Sequence, residues 1–218
     1  MKSIEEIKES LGSGETEQNV GNSTFLFLDV SGTCTGYSLA TIDFEKKKAN
    51  FYSAGVLWLN PDWTHAAKYH YIGSAINNYF WVVEQIDYVV IEQYSMNPKK
   101  RMGTFVVPEM CGAIKAFAHE NGLDVDSLPP QSWRSQLGIK KDKSNNDWKG
   151  PTKLKVLEVT DVPEKSISNI TGNERTTPSD MYDAIAIGWG WLGKLGFSKI
   201  TFNGMEFNKH LGVIQQEV

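Results

Sequence analysis

The sequence predicts an α/β layered domain on a mixed five-stranded sheet, three antiparallel strands and then two parallel ones, flanked by helices. Three features point there. Residues 24–30 (TFLFLDV) form a continuous apolar run that ends in an acid, as expected of a strand buried on both faces. Strand-like stretches follow at 37–42 and 50–59, across links too short for a crossover, so these three strands pair antiparallel. A second buried run at 88–92 (YVVIE) is reached through a helix-length segment, which implies a crossover connection and parallel pairing with the first strand.

Taken in order, residues 32–36 read as a tight turn and 45–48 as the exposed link of the meander. Asn60-Pro61-Asp62 breaks the third strand. Residues 64–83 are helix-like, with Tyr71, Ala75, Asn78 and Val82 along one face. Helices are then expected at 104–120, 130–137, 152–160 and 178–195, with a short strand at 123–127. The polar stretch 138–151 lacks periodicity and reads as a mobile surface loop. The expected organisation is a flexible acidic tail (1–22), one domain (23–195) and a C-terminal extension (196–218).

Hydrophobic residues make up 40% and charged residues 22%, which excludes the disordered, fibrous and membrane classes. No apolar run approaches the roughly 20 residues that span a bilayer, and MKSIEEIKES has neither the basic nor the apolar part of a signal peptide. A cytoplasmic protein is expected. Cys34 and Cys111 read as free thiols, and His65, His70, His119 and His210 form no zinc pattern. Any metal would therefore be a hard ion held by oxygen.

The net charge of −4 argues against a nucleic-acid partner, but its distribution points the other way. Residues 1–20 hold five Glu against Lys2 and Lys8. Residues 94–155 hold eleven basic side chains against six acidic ones, a net of +5 where a surface could grip a phosphate backbone.

The chemistry lies in four carboxylates. Asp29 closes the first strand and Glu92 the fourth, so in a parallel pair both emerge at one edge of the sheet, where α/β folds place their sites. Each acid alone can equally serve the turn after its strand. Asp180 stands in the first turn of the last helix, three residues after a possible Thr177 cap, where an acid is favoured with no function at all. Asp183 lies one turn on, leading into AIAIGWGW. Two like charges on one face beside a core repel unless a cation compensates them. Together the four make an oxygen-rich cage suited to Mg²⁺ or Mn²⁺ and to phosphodiester hydrolysis.

These residues resemble the RuvC-like Holliday junction resolvases of the ribonuclease H-like superfamily, phage-borne members in particular. The likeness covers about residues 24–194 and rests on FLFLDVSGTCTGYSLA, YVVIEQ and SDMYDAIAIG. It implies a ribonuclease H-like fold, with Asp29, Glu92, Asp180 and Asp183 as ligands to two Mg²⁺ ions that Mn²⁺ can replace. It further implies a homodimer that nicks opposing strands of a four-way DNA junction in a bacterial or phage-infected cytoplasm. PPQSWRSQLG, with Arg134, is similar to the family's stretch before the last helices, and Lys153 is similar to its lysine beside the scissile phosphate; a solvated helix charge is the alternative for both. Tyr94 is the candidate for an aromatic that stacks at the junction centre, with a core or interface tyrosine the alternative. Branch contacts are assigned to Lys99, Lys100, Arg101, Arg134, Lys140, Lys141 and Lys143.

Departures from the family are the loop VSGTCTG after Asp29, a longer insertion at 140–149 and both tails. Rival readings are a related nuclease acting on other branched DNA or on RNA, and a junction-binding protein without catalysis. An actin-like ATPase is a more distant rival, since the second phosphate loop and the Gly-Gly adenosine site that it needs are missing.

Overall fold

The computed structural model describes residues 2–12, 22–94, 105–144, 147–168, 171 and 173–207. Strands β1 (Ser23–Val30), β2 (Cys34–Asp43) and β3 (Lys48–Trp58) form the antiparallel meander, and β4 (Tyr88–Glu92) and β5 (Asp124–Leu128) extend it in parallel beyond β1. These five strands are the expected sheet. Two short strands, β8 (Lys199–Thr201) and β9 (Glu206–Phe207), add to the far edge of β3, so the order is β5-β4-β1-β2-β3-β8 with β9 also on β3. The segment expected as a mere extension thus contributes to the sheet.

Alternation along β1 decides what faces what. Successive strand side chains point to opposite faces, so Phe25 and Phe27 enter one apolar cluster while Leu26 and Leu28 enter the other. Helices α2 (His65–Ser74) and α3 (Val106–Glu120) cover the leucine face. Helices α4 (Pro130–Gln136), α5 (Lys149–Leu157) and α6 (Ser179–Lys194) belong to the phenylalanine face. Helix α6 is its centre: Trp191 and Ile187 are fully buried, and a β-carbon at Gly188 would fall 2.8 Å from the Phe27 ring. Trp191 donates its indole N–H to Asp126 at 3.2 Å, which gives this buried tryptophan the partner it needs.

Three local expectations are corrected. The tail assigned to 1–22 contains helix α1 (Ile4–Gly12). The main-chain N–H of Ser3 donates to Glu6 and that of Glu6 to the Ser3 hydroxyl, a reciprocal cap; Ile7 is fully buried and the Lys2 ammonium reaches Asp124 at 2.8 Å. The helix expected at 64–83 starts on a Thr64 cap but passes into a π-helical stretch at Ala75–Trp81. The stretch 138–151, expected as a loop, includes the Asp142–Asp147 bridge and the start of α5, where Asp147 accepts the N–H groups of Lys149 and Gly150. A small hairpin of β6 (Lys165–Ile167) and β7 (Glu174–Thr176), without an expected counterpart, precedes α6. Among the described residues no helix is long and apolar enough to cross a membrane.

Candidate active site

The same alternation aims the acids. Asp29 shares the face of Phe25 and Phe27, and Glu92 that of Tyr88 and Val90, which lie in the same cluster. Leu28 is paired with Ile91 in the parallel β1–β4 register, so Asp29 and Glu92 follow side by side at the ends of their strands. Both therefore face α6.

Gly36 completes the approach. It is the cross-strand partner of Asp29, and a β-carbon on it would fall 1.9 Å from the main-chain oxygen of Asp180. Only a glycine lets the first turn of α6 lie so close to β2. Asp180 and Asp183 are thereby delivered to the acids of the sheet. The cap of α6 is Pro178; Thr177, the expected cap, donates its hydroxyl to the Pro163 carbonyl instead.

The four acids act on one another electrostatically. Burial, then the charges of Asp183, Glu92 and Asp180, hold Asp29 well above the usual carboxylate range. Asp183 is pushed up to about 7 by burial and by Glu92 and Asp180. Glu92 is raised by burial and Asp180, against the pull of Trp133 and Arg134. Mutually raised carboxylates are the mark of like charges lacking full compensation. A divalent cation supplies that compensation, and an all-oxygen set suits Mg²⁺ or Mn²⁺. Among the described residues no three His, Cys, Asp or Glu side chains already stand in ligand geometry, so an ion would have to draw these acids inward.

Trp133, fully buried on α4, donates its indole N–H to Glu92 at 2.9 Å and so fixes that carboxylate. Arg134 approaches the same Glu92 oxygen at 3.7 Å, with its guanidinium 4.5 Å from the Trp133 ring centroid and 5.2 Å from that of Trp148. Its Nε is buried with no hydrogen-bond partner. The lysine that most offsets the charge of Asp29 and Asp183 is Lys149, at the start of α5. Lys153, one turn on, places its ammonium 5.4 Å from the Tyr182 ring centroid.

Trp133 carries no mark of a site residue in the sequence beyond its place in PPQSWRSQLG, and Lys149 stands there only as one of the basic residues of 94–155. A tryptophan that packs inside needs a partner for its N–H. Tyr94 follows Glu92 by two residues and is partly exposed. Lys140 and Lys143 are exposed, and Lys141 sits 5.9 Å from the Trp148 ring centroid. Lys99, Lys100 and Arg101 lie outside the described residues.

No family model matches the chain, and no curated protein sequence matches it. Solved structures do. Thermus thermophilus RuvC in complex with a Holliday junction substrate is similar with a TM-score of 0.58 at 16% identity, over 80% of this chain and 96% of that one. The chain has the fold of the RuvC resolvases. The yeast mitochondrial Holliday junction resolvase matches at 0.53 and 16% identity, over 88% of this chain and 85% of that one. The fowlpox virus resolvase with its Holliday junction DNA also matches at 0.53, at 15% identity, over 79% and 98%. At these identities the likeness concerns the RuvC fold, and the four acids of this chain stand on that fold at two adjacent strand ends and the first turns of α6.

Proposed function

We propose that the chain is a structure-selective, Mg²⁺-dependent endodeoxyribonuclease that resolves four-way DNA junctions as a homodimer. The observation that carries the reading is the convergence of Asp29, Glu92, Asp180 and Asp183 on one face of a RuvC fold, at two adjacent strand ends and the first turns of α6, with Asp29, Glu92 and Asp183 raised by burial first and then by acidic neighbours. That the similar solved structures are junction resolvases, two of them with junction DNA, supports the substrate.

In this reading the four carboxylates hold the cation. When bound, it supplies an activated water and neutralises charge at the leaving oxygen. Trp133 keeps Glu92 turned inward. Arg134, with its guanidinium 4.5 Å from the Trp133 ring centroid and 5.2 Å from that of Trp148, contacts the phosphate, as a planar guanidinium is suited to do. Lys149 and Lys153, one turn apart on α5, add positive charge, and Tyr94, Lys140, Lys141 and Lys143 are assigned to contacts with the branch. A twofold dimer would present two identical sites to a substrate that is itself pseudo-twofold, so paired nicks would follow from symmetry.

The test is cutting of a labelled four-way junction in Mg²⁺ beside matched duplex, flap and RNA substrates. The junction should be cut into symmetric, ligatable products, and Asp29→Asn should bind it without cutting. Equal cutting of duplex and junction would remove the resolvase reading and leave a nuclease of broader choice.

A further inference from the structure

Three clefts adjoin one another away from the carboxylates. The largest, about 640 Å³, lies along the β2–β3 turn and β8. A second, about 390 Å³, shares Ser198 and Ile200 with it, and a third, about 530 Å³, shares Gln136 with the second. They make one trough from the β2–β3 turn to α4, the helix that brings Trp133 and Arg134 to Glu92.

The trough is basic in a chain of net charge −4. Lys46, Lys48, Lys199, Lys155 and Lys194 border it, and Asp43 is the one acid among the described residues that line it. Asp43 is already held by Lys46 at 2.7 Å, and Glu45 of the same turn by Lys8. Lys155 is bonded to Glu158 at 2.5 Å. Lys48 and Lys199 are register partners on neighbouring parallel strands, and Asp43 is the partner of Lys48 on its other side, so two ammonium groups stand together at this edge with one carboxylate beside them. Between the lysines the trough is lined by neutral polar groups, Ser198 and the pair Thr201 and Asn50, the hydroxyl of the first donating to the amide oxygen of the second at 2.8 Å.

We infer that this trough takes the phosphate backbone of a duplex arm leading away from the cutting site. The inference rests on the nuclease reading for the identity of its ligand. The reach is suitable: from Gly36, beside the acids, to Asp43 is seven residues along β2, about 23 Å at ~3.3 Å per residue. A duplex covers that in about seven base pairs at ~3.4 Å each. Lysine ammonium groups spaced along a groove fit a repeating phosphate better than any single small anion.

The test uses the full chain with Lys48→Ala, Lys194→Ala and Lys199→Ala together, and the same three positions as arginine. Affinity is measured against salt for four-way junctions with arms of about 20 and about 5 base pairs, and for linear duplex of about 20. The alanine variant should lose roughly tenfold or more in affinity for long arms, with the log K against log salt slope shallower by about 2 to 3. Binding and cutting of short-armed junctions should stay at the unsubstituted level, and the arginine variant should restore the slope. Unchanged affinity and slope on long arms would overturn the inference. If no junction is cut at all, yet the linear duplex shows the same lysine-dependent slope, the trough stands and the nuclease reading falls.

Discussion

Gly36 on β2 has no room for a side chain because the main-chain carbonyl of Asp180 lies over it, where a β-carbon would come within 1.9 Å. One missing methyl group therefore sets how near α6 approaches Asp29, the cross-strand partner of Gly36. Gly36→Ala must push the first turn of α6 outward. Overpacking of this kind costs about 1–3 kcal/mol, and a shift of about 1 Å at a reacting centre costs about a hundredfold in rate. We expect a lower Tm and at least that loss of cutting, with the folded far-ultraviolet spectrum retained. Full activity in the alanine variant would detach Asp180 from the site.

The raised carboxylates predict how stability should depend on pH and on added metal. Asp183 is pushed up to about 7 by burial and its acidic neighbours, so the folded chain keeps a proton that the unfolded chain releases near pH 4. That group's contribution is present in full below about pH 4 and is lost as pH rises through about 7. In chelator, thermal unfolding should show stability falling across this window. Mg²⁺ should then stabilise the fold more at pH 8 than at pH 5; at a hundred times its pH 8 Kd the stabilisation at pH 8 is about 2.7 kcal/mol, read as a larger rise in Tm. A Mg²⁺ effect of equal size at both pH values would contradict the account.

Trp133 acts on Glu92 through one hydrogen bond, and its donation lowers the affinity of that carboxylate for a proton. Trp133→Phe keeps an aromatic ring in the core and removes the donor. The loss of a hydrogen bond to a charged group is worth about 1.5–3 kcal/mol. Glu92 then rises further, so the acid limb of the cutting profile should move to higher pH. A purely structural role would lower Tm and leave that limb in place.

Lys149 and Lys153 should separate by their effect on pH dependence. Lys149 lowers the proton affinity of both Asp29 and Asp183, whereas Lys153 lies over Tyr182. Lys149→Ala should cut at least about tenfold more slowly, about 1.4 kcal/mol in the barrier, and shift the acid limb upward. Lys153→Ala should leave the limb where it is. The reverse pattern in the two profiles would reassign the site lysine to Lys153.

The acids were legible in the sequence because each closes or opens a strongly patterned element. TFLFLDV and YVVIE are buried runs whose alternation places Asp29 and Glu92 on one face, and SDMYDAIAIG opens an apolar helix. The sheet was legible for the same reason, down to the pairing sense of its five main strands. What escaped depends on tertiary partners. Nothing near Gly36 in the chain announces that α6 will lie on it, 144 residues later. The edge strands at 199–201 and 206–207 are too short for a period to show. The Ser3–Glu6 capping box was readable, but the glutamates of the first twenty residues suggested a solvated tail; only the burial of Ile7 shows that one turn docks.

Four carboxylates from three elements are proposed to hold divalent cations jointly. Titration of Mn²⁺ into the full chain, followed by electron paramagnetic resonance with Mg²⁺ as competitor, measures this without reference to any substrate. Binding should be displaced by Mg²⁺ and weakened at least about tenfold in Asp29→Asn and in Asp183→Asn, a loss within reach of disturbing a single ligand. Mn²⁺ binding equally tight in both variants would show that these acids are not the ligands.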